Sequence, residues 1–204
     1  MNEEVLATTR RSLHAVAESV IAGPQYRSDG TIRLTVTPGG FAGVSSPLRV
    51  AGTELVGPGG RWPLRGTVRE LAAAAGVTGG PPQGLYADSS GVDLDEPLNV
   101  DGAAAELLQA WFARGDAALR AFAPEATPVL WPEHFDLAIS LDEVNYGISP
   151  GDAGHPRPYA YIGPSTPLEG AFWNAPFGAL RDAGGLPDAA AVAAVFAEGR
   201  RLAG

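Results

Sequence analysis

Cysteine is absent from this sequence. Disulfides, thiolate metal sites and cysteine nucleophiles are excluded, and the redox compartment is left unmarked. Lysine is absent too: all 14 basic residues are arginines, so Schiff-base chemistry on a lysine side chain is also excluded. Basic clusters are missing. None exceeds the pairs Arg10-Arg11 and Arg200-Arg201, and the formal charge is −9. Nucleic-acid binding draws most of its affinity from phosphate contacts, and this chain lacks that footprint. The same field repels anionic membrane surfaces. Long apolar runs are missing as well, since none approaches the ~20 residues of a membrane span. The opening "MNEEVLATTRRSLHAVAESVIAG" begins acidic and is amphipathic, unlike a signal peptide. A cytoplasmic protein without nucleic-acid or membrane partners is expected; its oligomeric state is not legible.

What is present suits a globular fold. Hydrophobic residues make up 45% of the chain and charged residues 18%, an ordinary balance. A chain of 204 residues should bury roughly 70% of the surface its unfolded form exposes. Residues 1–204 are expected to form one α+β domain, in which a mainly antiparallel sheet carries an N-terminal, a long central and a C-terminal helix. Leu6, Leu13, Val16, Ala17, Val20 and Ile21 recur at helical spacing, and Gly23-Pro24 reads as the stop. "TIRLTVTPGGF" alternates as a strand, and "LRVAG" and "ELVGP" read as two more. Thr67 with Glu70 forms a capping-box pattern before "VRELAAAAGV".

Residues 78–102 are rich in Gly, Pro, Ser and Asp and read as an irregular loop, either a lid or an internal boundary. Its acids Asp88, Asp93, Asp95 and Asp101 do not fit the EF-hand spacing and read as turn chemistry. Asp101 is expected to cap the long helix, whose apolar face includes Leu107, Leu108, Trp111, Phe112, Leu119 and Phe122. Asp188 is expected to cap the last helix. Helices and strands interleave without regular βαβ spacing, which favours the antiparallel class.

Residues 131–164, "WPEHFDLAISLDEVNYGISPGDAGHPRPYAYIGP", hold two of the three histidines together with several aromatics and carboxylates. Taken as one strand, 129–141 puts His134, Asp136, Ala138 and Ser140 on one face and Phe135, Leu137, Ile139 and Leu141 on the core face. Asp136 would then orient the His134 imidazole as a general acid or base, with Glu133 nearby. His134, Asp136 and His155 superficially match a two-histidine, one-carboxylate iron triad. The short, Gly/Pro-interrupted spacing argues against it, so neither metal nor cofactor is assigned. Gly147 inside a strand predicts a bulge or a close approach. Pro150-Gly151 suits a type II turn, after which Asp152 is expected to bond its own loop's amides. Tyr159 and Tyr161 share a strand face. With Trp131, Asn145, Tyr146 and Asp152 they form the candidate ligand-binding set. His14 shares a helix face with Glu18 and reads as an ordinary surface histidine, with an approach to the His134 segment as the alternative.

The series "HFDLA", "NYGISPGD" and "PYAYIGP" resembles a bacterial family known only as a domain of unknown function. Its members carry an "FPHHFDLA"-like strand, then "NFGFSTGD" and "PEPYFY". The likeness covers most of the chain loosely and Pro132 to Tyr161 specifically. It carries over His134, Phe135, Asp136, Asn145, Gly147, Gly151, Asp152, Pro158 and Tyr159, and it implies a location without a chemistry. Glu133 stands where that pattern often has a first histidine, and His155 has no counterpart in it. Two functions remain open: an acid/base enzyme (hydrolase, lyase or isomerase) acting on a small molecule, and a non-catalytic module binding a ligand or protein. No nucleophile elbow, phosphate loop, dinucleotide fingerprint or zincin motif is present.

Overall fold

The computed structural model describes residues 2–86 and 89–204. The fold is α+β, with ten strands among the described residues whose pairings are antiparallel. Among the described residues no helix is long and apolar enough to cross a membrane. The chain divides into two compact units: the stretch up to Ala110 with Leu130–Phe135, and Trp111–Val129 with Asp136–Gly204.

The first unit opens with α1 (Glu3–Val16), capped by the Asn2 side chain. A π-helical segment (Ala17–Ala22) and α2 (Gly23–Asp29) follow without a break. Strands β1 (Leu34–Thr37), β2 (Gly40–Gly43), β3 (Arg49–Ala51), β4 (Glu54–Gly57) and β5 (Gly60–Pro63) form a meander. β6 (Val129–Trp131) adds to β1 through Leu34↔Leu130. Helix α3 (Val68–Ala74) starts at the expected capping box: Thr67 Oγ1 accepts from Glu70 N at 3.1 Å, and Glu70 Oε2 accepts from Thr67 N at 2.9 Å. Leu13, Val16, Val20, Ile21, Leu34, Phe41, Val50 and Leu55 make the core. Buried Gln25 makes four hydrogen bonds, to Thr31 O, Arg33 O, Ser45 N and Ser46 N, so its amide is satisfied.

Helix α4 (Gly102–Phe122) runs from the first unit into the second, starting at Asp101, whose Oδ1 accepts from Ala104 N. In the second unit β7 (Asp136–Leu141), β8 (Val144–Ser149), β9 (Tyr159–Pro164) and β10 (Ala179–Asp182) pair in that order. Helix α5 (Ala189–Ala203), capped by Asp188, packs on β9, where Phe196 joins Tyr146 and Phe122.

Gly23-Pro24 does not end the first helix. Gly23 N–H reaches Glu18 O, one residue further back than in an α-helix, and Pro24 falls in the first turn of the next segment, where a missing N–H is tolerated. The wide turn leaves Ser19 O to accept from Gly80 N at 2.9 Å. Only glycine fits at Gly23, because a Cβ there would stand 1.8 Å from Gly80 O.

Residues 129–141 are not one strand. They form β6, a turn over 132–135 and β7, because Phe135 takes φ 54°, outside the extended region. The irregular stretch 78–102 lies wholly within the first unit and is not where the chain divides. Arg11 holds it by bonds to Ser90 O, Gly91 O and Glu96. Asp88 lies outside the described residues. Of the other acids, Asp93 accepts from Asp95 N, and Asp95 pairs with Arg69. Leu107, assigned to the apolar face of α4, is instead exposed.

Candidate functional site

The second unit joins four of the residues singled out in the sequence. Antiparallel pairing sets Gly147 opposite Tyr161 and Ser149 opposite Tyr159, so both tyrosines rise on one face of β9. Tyr161 Oη donates to Asp136 Oδ2, at the start of β7. Tyr159 Oη donates to Asp152 Oδ2 at 2.5 Å, in the turn after β8. The other Asp152 oxygen accepts from Gly154 N at 2.7 Å and His155 N at 2.8 Å, the expected turn bonding, so one carboxylate fixes the loop and the phenol together. The tyrosine rings lie 6.3 Å apart at 60°.

Both phenols hold their protons well above the ordinary range. Burial is the first cause for Tyr161, followed by the charge of and bond to Asp136. For Tyr159 burial again leads, then the bond to Asp152, with the Ser149 hydroxyl pulling the other way. A neutral phenol has one proton to give, and each gives it to a carboxylate.

Gly147 is the seat of this arrangement. The β7–β8–β9 register is continuous there, so the close approach is realised without a bulge. A Cβ on Gly147 would lie 2.6 Å from both Cζ and Oη of Tyr161 and 2.7 Å from Leu137 O. Gly147→Ala is expected to lose roughly 1–3 kcal/mol by overpacking and to displace the Tyr161 phenol from Asp136. Urea unfolding and the near-ultraviolet tyrosine signal check both.

The other residues of the predicted site are not assembled as expected. His134 lies in the 132–135 turn with its side chain 56% exposed, and its charged neighbour is Glu133, at 3.9 Å. Asp136 is buried and bound to Tyr161, so the alternation that was to align it with His134 is lost at Phe135. Tyr146 is 1% exposed and packs on Phe122 at 4.8 Å, because the alternation of β8 turns it inward with Val144 and Ile148. It is core, not ligand-binding. Asn145 is exposed and accepts from Ser140 across the β7–β8 hairpin. Trp131 is half-buried in the first unit with the Arg33 guanidinium 6.0 Å from its ring.

His14 is no ordinary surface residue. Its Nε2 lies 2.6 Å from Pro132 O, and its ring stacks on Phe135 at 5.4 Å. A carbonyl only accepts, so Nε2 carries the proton. His155 binds Asp182 at 2.7 Å and meets the Tyr159 ring edge-on. Among the described residues no three His, Asp or Glu side chains are grouped as metal ligands. Sequence reasoning missed Phe177, which stacks on Tyr159 and stands edge-on to Tyr161. "NAPFGAL" has no periodicity that would mark it. Trp173, four residues earlier, packs edge-on against Phe172.

No protein-family model, curated protein or solved structure matches this chain.

Proposed function

We propose that the chain is a non-catalytic, cytoplasmic ligand-binding module whose second unit holds a small molecule against Tyr159 and Tyr161. One observation carries this reading: two phenols on one strand face each bond a carboxylate from a different segment, while their rings stand together as an apolar wall. Small-molecule sites pair aromatic surface with a few fixed polar groups in this way. Both phenols hold their protons more tightly than usual and stay neutral, which favours binding over proton transfer, since neither hydroxyl serves as a base near neutral pH.

The test is a thermal-shift screen of small metabolites on wild type, Tyr159→Phe and Tyr161→Phe. A ligand at about 100 times its Kd adds ~2.7 kcal/mol, which raises the Tm of a chain this size by roughly 5–10 °C. The tyrosine variants are expected to weaken any hit at least about tenfold, the scale of a lost, well-made hydrogen bond. Hits that bind both variants as well as wild type, or a broad screen without hits, would remove the proposal.

An acid/base enzyme centred on His134 is the second reading. It is favoured by the exposed imidazole with Glu133 at 3.9 Å. It requires that a ligand from the screen be turned over, and that His134→Gln abolish the turnover.

A further inference from the structure

The sheet of the first unit has one closed face and one open face. Leu34, Phe41, Val50 and Leu55 point into the core. Alternation therefore sends Ala42, Arg49, Val56 and Arg61 to the opposite face, where the register sets them side by side. Arg33 and Val44 extend that face beyond Leu34 and Gly43, joined by a bond from Val44 N to Arg33 O. Arg33 and Arg61 are exposed, and Val44 is 52% exposed.

The charge of this face runs against that of the whole chain, which is −9. Arg33, Arg49 and Arg61 share it with a carboxylate, Glu54, which accepts from Arg61 Nε at 3.0 Å and Nη2 at 2.5 Å. Among the described residues neither Arg33 nor Arg49 has a carboxylate partner. Two guanidiniums are thus open to anions from outside, and a guanidinium suits a carboxylate, which it can hold with two parallel bonds. Their placement sets the size of the partner. Two strands and two residues part them, roughly 12 Å between Cα atoms. Arg33 also leans over Trp131 on β6, the side away from Arg49 on β3. One small anion cannot meet both. Between them lie apolar Ala42 and Val44. An extended chain matches this pattern when its first and fifth residues, about 13 Å apart on one face, are acidic and its third is apolar. Two free cations are too few for a nucleic-acid strand, whose affinity grows with each phosphate neutralised.

We propose that this open face docks an acidic segment of a partner protein, extended, with two carboxylates four residues apart and an apolar residue midway. The inference does not depend on the site in the second unit.

The experiment titrates the full chain with the peptide acetyl-Glu-Ser-Val-Ser-Glu-amide and with its Gln-Ser-Val-Ser-Gln counterpart. NMR follows the Val44 methyls and the Nε–H groups of Arg33 and Arg49. The acidic peptide is expected to shift all three residues with saturation, and more weakly as salt is added. The amide peptide should bind at least about fivefold more weakly, the scale of two exposed ion pairs. Arg33→Gln and Arg49→Gln should each weaken the acidic peptide about two- to fivefold. Arg200→Gln, which changes the net charge equally from the second unit, should leave it unchanged. The peptide comparison uses the wild-type chain, so it stands whatever the variants do to the fold. Equal binding of the two peptides, acetate binding as tightly as the acidic peptide, or an equal loss in Arg200→Gln would overturn the proposal. So would tighter binding of a thymidine tetranucleotide, or no shift with the acidic peptide.

Discussion

Phe135→Ala is expected to cost roughly 3–5 kcal/mol of stability, the range for truncating a fully buried aromatic ring. Phe135 is 1% exposed, with its ring between His14, stacked at 7°, and Phe41, edge-on at 76°. Its backbone sits at φ 54°, where an L-residue is strained by about 1–2 kcal/mol. Burial of the ring outweighs that strain, and so the ring dictates the shape of the 132–135 turn. Two variants separate the contributions. Phe135→Gly loses the same ring but relieves the backbone, so it should be about 1 kcal/mol less damaging than Phe135→Ala. Urea unfolding of both measures the difference. An alanine variant within 1 kcal/mol of wild type (a margin set by ordinary surface substitutions, about ±0.5 kcal/mol) would show that the ring does not hold the turn.

Acidification should weaken the fold through His14 by roughly 3 kcal/mol. Burial comes first in holding its imidazole down to about 4, against an ordinary 6.5. The bond to Pro132 O opposes this, and the charges of His134, Arg10 and Arg11 add to it. The unfolded chain takes up the proton near pH 6.5, while the folded chain resists until about 4. Between those values the unfolded state binds more protons, so stability falls as pH falls. The contribution is complete above pH 6.5 and gone below about 4. His14→Gln keeps a side-chain donor but does not titrate, so its urea midpoint should vary less with pH across this window. Parallel curves for the two proteins would mean that carboxylates elsewhere carry the whole effect.

Much of the fold was written in local chemistry. Thr67 with Glu70, Asp101 and Asp188 all cap the helices they precede, because a cap needs only a side-chain oxygen and an amide two or three residues on. The Asp152 turn and the shared face of Tyr159 and Tyr161 were legible for the same reason. What failed depended on partners distant in sequence. Phe135 leaves the extended region for a pocket made by His14 and Phe41, and the His134–Asp136 alternation goes with it. Asp136 finds Tyr161, 25 residues away in sequence, through the β7–β8–β9 pairing. Strand β10, four residues with little alternation, gave no signal at all.

The wide turn at Ala17–Ala22 has a consequence for how one rod serves two faces. Each residue of a regular helix advances about 100° around the axis, so a single i−5 step slips the phase of everything downstream. Leu13 and Val16 upstream, and Gln25 downstream, both point inward across that slip. Deleting one residue from the segment would restore a regular coil, swing Gln25 away from the carbonyls and amides it bridges, and leave four backbone groups without their amide.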